Sequence, residues 1–374
     1  MTRGTILLAA GGTGGHLFPA EAVAHELGKR GFAVELVTDP RAEPFRATFP
    51  ARAMHVVSSG SLSMRMSPAA LVSSAVKLGS GFVRAARLIR RIKPDAVVGF
   101  GGYPTLPPVL AARMLGRPAV VHEANAVLGR ANKLLSRYAR VAVAFPNARG
   151  LSPKAEPPVH TGMPVRPSVF AAATDYHAPD PDGPVRLVVF GGSQGARVFS
   201  DIVPPAVEQL PADLRKRLSI VQQCRPEDLD EVRGRYQAAG VEAEIAPFFK
   251  DLPERISAAH LVVSRSGAST VAELATIGRP AFLVPLPHAL DQDQRANATA
   301  FQEAGGGWMV DQADLTPESL ARELEAVCSD PARLASAAGA ARSLAQPDAS
   351  ARLADFVEEI AGLSRDPSQD QGHH

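Results

Sequence analysis

Gly191-Gly192-Ser193-Gln194-Gly195-Ala196-Arg197 is the stretch on which the fold depends. It follows Val185-Arg186-Leu187-Val188-Val189-Phe190, an apolar run that reads as a buried parallel strand, and it precedes residues able to begin a helix. A strand feeding a glycine turn and then a helix presents backbone N–H groups at the positive end of the helix dipole, which makes an anion site. A nearly matching unit opens the chain: Thr5-Ile6-Leu7-Leu8-Ala9-Ala10, then Gly11-Gly12-Thr13-Gly14-Gly15-His16. Its glycine pair lies 180 positions before the later one. Two such turns, each heading its own half, imply two similar domains facing one cleft.

Length agrees: 374 residues exceed one ordinary domain and suit two of about 150–200. With 45% apolar and 21% charged residues the composition is that of a soluble globular protein. Cys224 and Cys328 stand far apart without a metal-type spacing, which fits a reduced cytosolic compartment. The apolar run after Arg3 is too short for a signal peptide. Residues 96–112 are uncharged but too rich in glycine and proline to span a bilayer as a helix.

The net charge of +2 hides an asymmetry. Residues 1–165 carry 21 Lys and Arg against 8 Asp and Glu, whereas the remainder carries 19 against 30. The basic half suits an anionic leaflet or a pyrophosphate; alternatively, two oppositely charged solvated surfaces help the halves associate.

Helical spacing over residues 19–31 leads to a strand at 32–38. Further strands are expected at 53–57, 96–99, 119–122 and 141–144, with helices between several of them. The second half restarts at 185–190, followed by strands at 219–222, 241–246, 260–264 and 281–284. Strands alternating with helices predict α/β architecture with doubly wound parallel sheets. Prolines crowd residues 146–184, which read as a linker. The tail beyond Ser364, with His373 and His374, reads as disordered.

The first turn invites a dinucleotide reading with Asp39 as the ribose acid, yet Leu17 stands where the third glycine of GxGxxG belongs. His16 instead sits at a helix N-terminus, where the dipole favours a neutral imidazole able to accept a proton or to hydrogen-bond a phosphate. Phe100-Gly101-Gly102-Tyr103-Pro104 ends another strand, either at a ligand-binding edge or as a turn forced by close packing. Asn125, in His122-Glu123-Ala124-Asn125, could recognise a sugar hydroxyl or N-acetyl group, or cap a helix over 127–139. In Ser264-Arg265-Ser266-Gly267-Ala268-Ser269-Thr270-Val271-Ala272-Glu273, the carboxylate of Glu273 can grip a ribose diol or close a capping box with Thr270. Asp291-Gln292-Asp293 has the form of a metal-binding DxD motif, but paired glycine turns can hold a diphosphate without metal. Gln294 is the better sugar contact.

Read together, GGTGGHLFPAEAVA, GFGGYP, HEANAVLGRANKLL, GMPVR, GGSQGAR, SRSGASTVAE and QRANA resemble the MurG family, bacterial transferases that convert lipid I to lipid II with UDP-GlcNAc. The segments run in the family's order over about residues 5–300. The resemblance implies a GT-B fold of two Rossmann-like domains. Residues 1–163 would hold the acceptor and touch the membrane, and 164–345 would bind UDP-GlcNAc. A helix over about 346–364 would pack back on the first domain.

The resemblance also implies donor contacts at Thr13, Gly14, Gly15, Asn125, Arg166, Ser193, Phe249 (through its backbone, to uracil), Ala268, Ser269, Thr270, Val271, Ala272, Glu273 and Gln294. His16 would be the base or the pyrophosphate contact in an inverting, metal-independent transfer without a cofactor. Met163, Ala124 and Asp293 depart from the family's usual residues. Expected partners are UDP-GlcNAc, lipid I, an anionic membrane surface at the cytoplasmic face of the inner membrane and other cell-wall synthesis proteins, but not nucleic acid. Residues 67–93 combine Leu71, Val72, Val76, Leu78 and Phe82 with Arg84, Arg87, Arg90, Arg91 and Lys93. They read as a leaflet-binding patch or as a core helix with a solvated face. A nicotinamide or flavin oxidoreductase, a non-catalytic nucleotide-sugar binder and a related GT-B transferase acting on another acceptor are the rival readings.

Overall fold

A computed structural model describes residues 2–57, 68–192, 195–287 and 293–364, without the side chains of residues 68–75 and 77. The chain divides into two compact units, residues 1–166 with 347–374 and residues 167–346.

The first unit begins with β1 (Gly4–Ala9), α1 (Gly14–Lys29), β2 (Phe32–Thr38), β3 (Ala53–Val56) and α2 (Pro68–Ile92). It continues with β4 (Ala96–Gly99), α3 (Leu106–Met114), β5 (Ala119–Glu123), α4 (Arg130–Leu135), β6 (Arg140–Val143) and β7 (Val159–His160). All seven strands are parallel, in the order β3-β2-β1-β4-β5-β6-β7. Alternate residues of each strand enter opposite cores, because side chains in a strand alternate faces. Ile6, Leu8 and Val98 pack with Leu17, Val23 and Leu27 of α1. Leu7, Val97 and Val121 pack on the other face with Ile89 of α2 and Val109 of α3.

The second unit contains α5 (Pro167–Ala172), β8 (Val185–Phe190), α6 (Arg197–Glu208), α7 (Ala212–Arg217), β9 (Leu218–Gln223), α8 (Leu229–Ala239) and β10 (Glu242–Ala246). After these come α9 (Leu252–Ala258), β11 (Leu261–Ser264), α10 (Ala268–Ile277), β12 (Ala281–Leu283), α11 (Asp293–Glu303), β13 (Gly307–Met309), α12 (Pro317–Cys328) and α13 (Pro331–Ser343). Its six strands are also parallel, in the order β10-β9-β8-β11-β12-β13. Phe199 and Val203 of α6, Tyr236 of α8 and Leu324 of α12 close one face over Leu187, Val189 and Val263. Cys224 and Cys328 are buried free thiols.

The last helix, α14 (Ala349–Ala361), belongs to the first unit. Leu353, Phe356 and Val357 join the core beside α1. At its rim Glu358 accepts from Arg3 at 2.8 Å and from Arg30 at 2.9 Å, and Arg3 also donates to the Leu363 carbonyl. The tail from residue 365, with His373 and His374, lies outside the described residues.

In both sheets the strand order reverses beside the strand that leads into a glycine turn. In the first sheet the reversal lies between β1 and β4, and in the second between β8 and β11. Connections leave these strands toward opposite faces, so a crevice opens at their carboxyl ends, where open α/β sheets bind ligands.

Candidate active site

In the first unit, α1 starts at Gly14 with Thr13 in the N-cap position, and the Thr13 hydroxyl lies 3.2 Å from Nδ1 of His16. The opening N–H groups of a helix have no acceptor inside it, and they concentrate positive potential. Gly15, exposed, has nothing within 4 Å of where a Cβ would stand, so a ligand can approach the backbone there.

His16 is walled by glycines. A Cβ on Gly11 or Gly101 would meet its ring at 3.0 Å, and one on Gly102 at 3.4 Å. Gly101 and Gly102 also have φ of 91° and 77°, values that L side chains rarely adopt. The turn after β4 is therefore glycine-rich because it packs around the histidine. Burial first, and then the nearby Arg41 charge, lower the His16 pKa to about 4 against an opposing effect of Asp39. The imidazole is neutral at pH 7 and able to take a proton.

Asp39 does not stand ready for a ribose. Its carboxylate accepts from the Gly12 N–H at 3.1 Å and from the backbone and guanidinium of Arg41. Asn125 is not a helix cap either, since α4 begins at Arg130 with Gly129 as its N-cap. The residue that organises this loop is Glu123. Its buried carboxylate accepts from Asn125 N and Nδ2, Gly129 N and Asn132 Nδ2, at 2.9–3.1 Å. Burial raises the Glu123 pKa against the pull of those donors. Asn132 Nδ2 would also be 3.5 Å from a Cβ on Gly101, so the Asn125 loop adjoins the glycine wall of His16. The guanidinium of Arg166 lies 3.7 Å from the centroid of the Phe18 ring, one half-turn of α1 beyond His16. Ala124 and Met163 are both buried.

In the second unit, Gly191 is sterically required: a Cβ would stand 2.3 Å from the Ala196 nitrogen. Gly192 and Gly195 take φ of 82° and 68°, and the Gly195 N–H closes the turn on the Gly192 carbonyl. Ser193, like Gln194, lies outside the described residues. The side chain of Gln223, at the end of β9, accepts from Gly191 N and donates to the Pro247 carbonyl. It thereby joins the turn to the loop carrying Phe249, whose buried ring lies 4.3 Å from the Arg255 guanidinium.

Across the reversal point, β11 leads to Gly267, which caps α10 without a side-chain bond, so Thr270 and Glu273 do not form a capping box. Ala268, Ser269 and Thr270 are half-buried in the first turn, with Val271, Ala272 and the buried Glu273 following. The Ser269 hydroxyl is buried without a hydrogen-bond partner. Ser266 donates to the Gln294 carbonyl at 2.8 Å, and Asn297 Nδ2 donates to the Ser266 carbonyl at 3.1 Å. These bonds bring the start of α11 against that turn, while the Gln294 side-chain oxygen accepts from Leu286 N. Asp291 and Gln292 lie outside the described residues.

Two family models match: the glycosyltransferase family 28 N-terminal domain over residues 6–144 and its C-terminal domain over 186–353. A protein of Methylobacterium radiotolerans is 56% identical over 96% of this chain and 98% of its own length. Its name is UDP-N-acetylglucosamine--N-acetylmuramyl-(pentapeptide) pyrophosphoryl-undecaprenol N-acetylglucosamine transferase. The crystal structure of Acinetobacter baumannii MurG superposes with a TM-score of 0.74 at 31% identity, covering 95% of this chain and 99% of that one. The chain belongs to the MurG family. Other enzymes share only the fold. UDP-GlcNAc 2-epimerase from Neisseria meningitidis matches 95% of the chain with a TM-score of 0.66 at 15% identity. Glu123, Gln223 and Phe18, each of which contacts a candidate site residue, were not singled out by the sequence.

Proposed function

We propose that this chain transfers GlcNAc from UDP-GlcNAc to the C4 hydroxyl of the MurNAc of lipid I, forming lipid II with inversion at the anomeric carbon. The reading is carried by a neutral histidine at a glycine-turn helix start, in a chain 56% identical to a relative whose name states this transferase activity.

His16 accepts the proton of the acceptor hydroxyl as that oxygen attacks the anomeric carbon. The bond to UDP breaks, and the departing diphosphate gains charge. The turn over residues 191–195 with Ser193, the N–H groups around Thr13, Gly14 and Gly15, and Arg166 stabilise that charge. Glu273 accepts from the ribose hydroxyls, with Ala268, Ser269, Thr270, Val271 and Ala272 beside it; the Phe249 backbone reads uracil; Asn125 and Gln294 bind the sugar. Residues 1–163 serve the acceptor and 164–345 the donor. Replacing His16 with Ala should lower turnover by about 10²–10⁴, and near-full turnover with intact acceptor affinity would remove it from both roles.

The donor assignment is tested by thermal shift: UDP and UDP-GlcNAc should stabilise the protein and NAD should not. Stabilisation by NAD alone would overturn it.

Peripheral association with an anionic leaflet is part of the same proposal. Among the described residues no helix is long and apolar enough to cross a membrane. Ala85, Leu88 and Ile89 bury the inner side of α2, while Val76, Val83 and Arg84, Arg87, Arg90 and Arg91 are exposed. Met114 of the adjoining α3 is 76% exposed. Basic residues near such a surface contribute about 1 kcal/mol each. Equal sedimentation with anionic and neutral vesicles would count against the electrostatic part.

A further inference from the structure

Asp39 immediately follows β2 and is buried beneath the first glycine turn. One carboxylate oxygen accepts from Gly12 N at 3.1 Å and from an Arg41 terminal nitrogen at 2.6 Å. The other accepts from Arg41 N at 2.9 Å and from Arg41 Nε at 3.0 Å. The fit is close: a Cβ on Gly12 would stand 2.6 Å from Ala42 N and 2.7 Å from an Asp39 oxygen. On its other side the turn is held by the Gly11 N–H donating to the Gly101 carbonyl at 3.3 Å. His16 enters α1 four residues after Gly12, so the placement of its ring depends on this seat.

The second unit solves the same geometric problem without charge. There β9, like β2 the outer neighbour of the strand leading into the turn, ends in Gln223, whose neutral carbonyl takes the Gly191 N–H at 3.2 Å. Holding a glycine turn therefore does not call for a carboxylate. A lone carboxylate would also put a buried negative charge beside a turn built to attract anions. In the first unit that charge is met by a guanidinium 58% exposed at its side chain.

We propose that Asp39 and Arg41 are a positioning pair for the reaction: Asp39 seats the turn that carries His16, and Arg41 neutralises Asp39 so that the turn still accepts an anionic substrate. The proposal rests on the reading of that turn as the part of the site that meets substrate diphosphate. It separates the two members kinetically. Loss of Arg41 leaves an uncompensated charge behind the turn that meets the anion, so its effect falls on KM. In Asp39→Asn an amide nitrogen replaces the oxygen that accepts from Arg41 N, so the seat of His16 loosens although one oxygen remains for Gly12, and the effect falls on kcat.

The test compares Arg41→Ala, Asp39→Asn, the double variant and His16→Ala in the full chain with UDP-GlcNAc and a soluble lipid I analogue. Glu43→Gln, in the exposed Glu43–Arg46 pair a few residues beyond Arg41, serves as a control expected to match the unaltered protein. Arg41→Ala should raise the UDP-GlcNAc KM about tenfold, the scale of one charge roughly 12 Å away at the effective dielectric near a protein surface. Asp39→Asn should lower kcat about 10-fold to 100-fold, as expected for misplacing a reacting group by up to 1 Å. The double variant, lacking both charges, should recover a KM within about threefold of the unaltered protein while keeping the reduced kcat. A purely structural pair gives no recovery, and a double variant with KM at least as high as Arg41→Ala overturns the proposal. Asp39→Asn is isosteric and keeps an oxygen for Gly12, so the comparison survives if larger changes unfold the unit. If His16→Ala leaves kcat and KM unchanged, the reading of the turn fails and the pair falls with it. If His16→Ala is impaired and the recovery is missing, the pair alone fails.

Discussion

Replacing Gly191 with Ala should cripple the donor side while leaving the fold largely intact. The added Cβ would stand 2.3 Å from the Ala196 nitrogen, 2.5 Å from the Ala196 Cβ and 2.7 Å from the Gly195 carbonyl carbon. Ordinary contact begins near 3.4 Å, and two of the three obstacles are backbone atoms, so the turn must shift by about 1 Å. Overpacking of this kind costs about 1–3 kcal/mol of stability. A 1 Å displacement of a positioning group costs about 10²-fold in rate, or roughly 2.7 kcal/mol at the transition state. Gly234, within α8, provides the contrast, because nothing lies within 4 Å of its Cβ position. Alanine there should stabilise the chain by roughly 0.5–1 kcal/mol and leave turnover unchanged. The assay is kcat/KM for GlcNAc transfer with UDP affinity by calorimetry, and urea unfolding for both variants. Normal UDP affinity and turnover in Gly191→Ala would refute the placement of this turn against the donor diphosphate.

Glu358 is buried and meets both Arg3 and Arg30. Glu358→Ala should destabilise the first unit by up to about 3 kcal/mol, less than a fully buried pair would cost because both arginines reach solvent; unchanged urea unfolding would contradict this. His122 is 1% exposed, and burial lowers its pKa to about 4 despite its hydrogen bond to the Gly162 carbonyl. The unfolded chain binds that proton more readily, so this contribution is complete above pH 6.5 and is lost as pH falls toward 4. The loss is on the order of 3 kcal/mol. Urea midpoints at pH 7, 5.5 and 4.5 measure it, and His122→Gln should flatten part of the slope; an equal slope in the variant would contradict the assignment.

The doubly wound architecture could be read from apolar runs that end in glycine turns. Strands at 96–99 and 185–190 occur with the expected limits. Two short strands were not visible. Val159–His160 follows consecutive prolines, and Gly307–Met309 has three residues, too few for a periodic signal. The helix expected over 127–139 is only Arg130–Leu135, because Glu123 ties Asn125 and Gly129 into a turn ahead of it. At the site, both glycine turns were legible because strand, glycine and helix are adjacent in sequence. The side chains that seat them were not. Asp39 and Gln223 lie 27 and 32 residues from the glycines they hold, and they reach them only because β2 and β9 are neighbours of β1 and β8. For the same reason the glycines of residues 101–102 could not be assigned to packing until His16 was seen against them.

The most direct test is product analysis after incubating the purified chain with radiolabelled UDP-GlcNAc and a soluble lipid I analogue. One UDP should be released for each β-1,4-linked GlcNAc–MurNAc product formed. UDP release without that disaccharide, or conversion of the UDP-sugar without use of the acceptor, would contradict the proposed transfer.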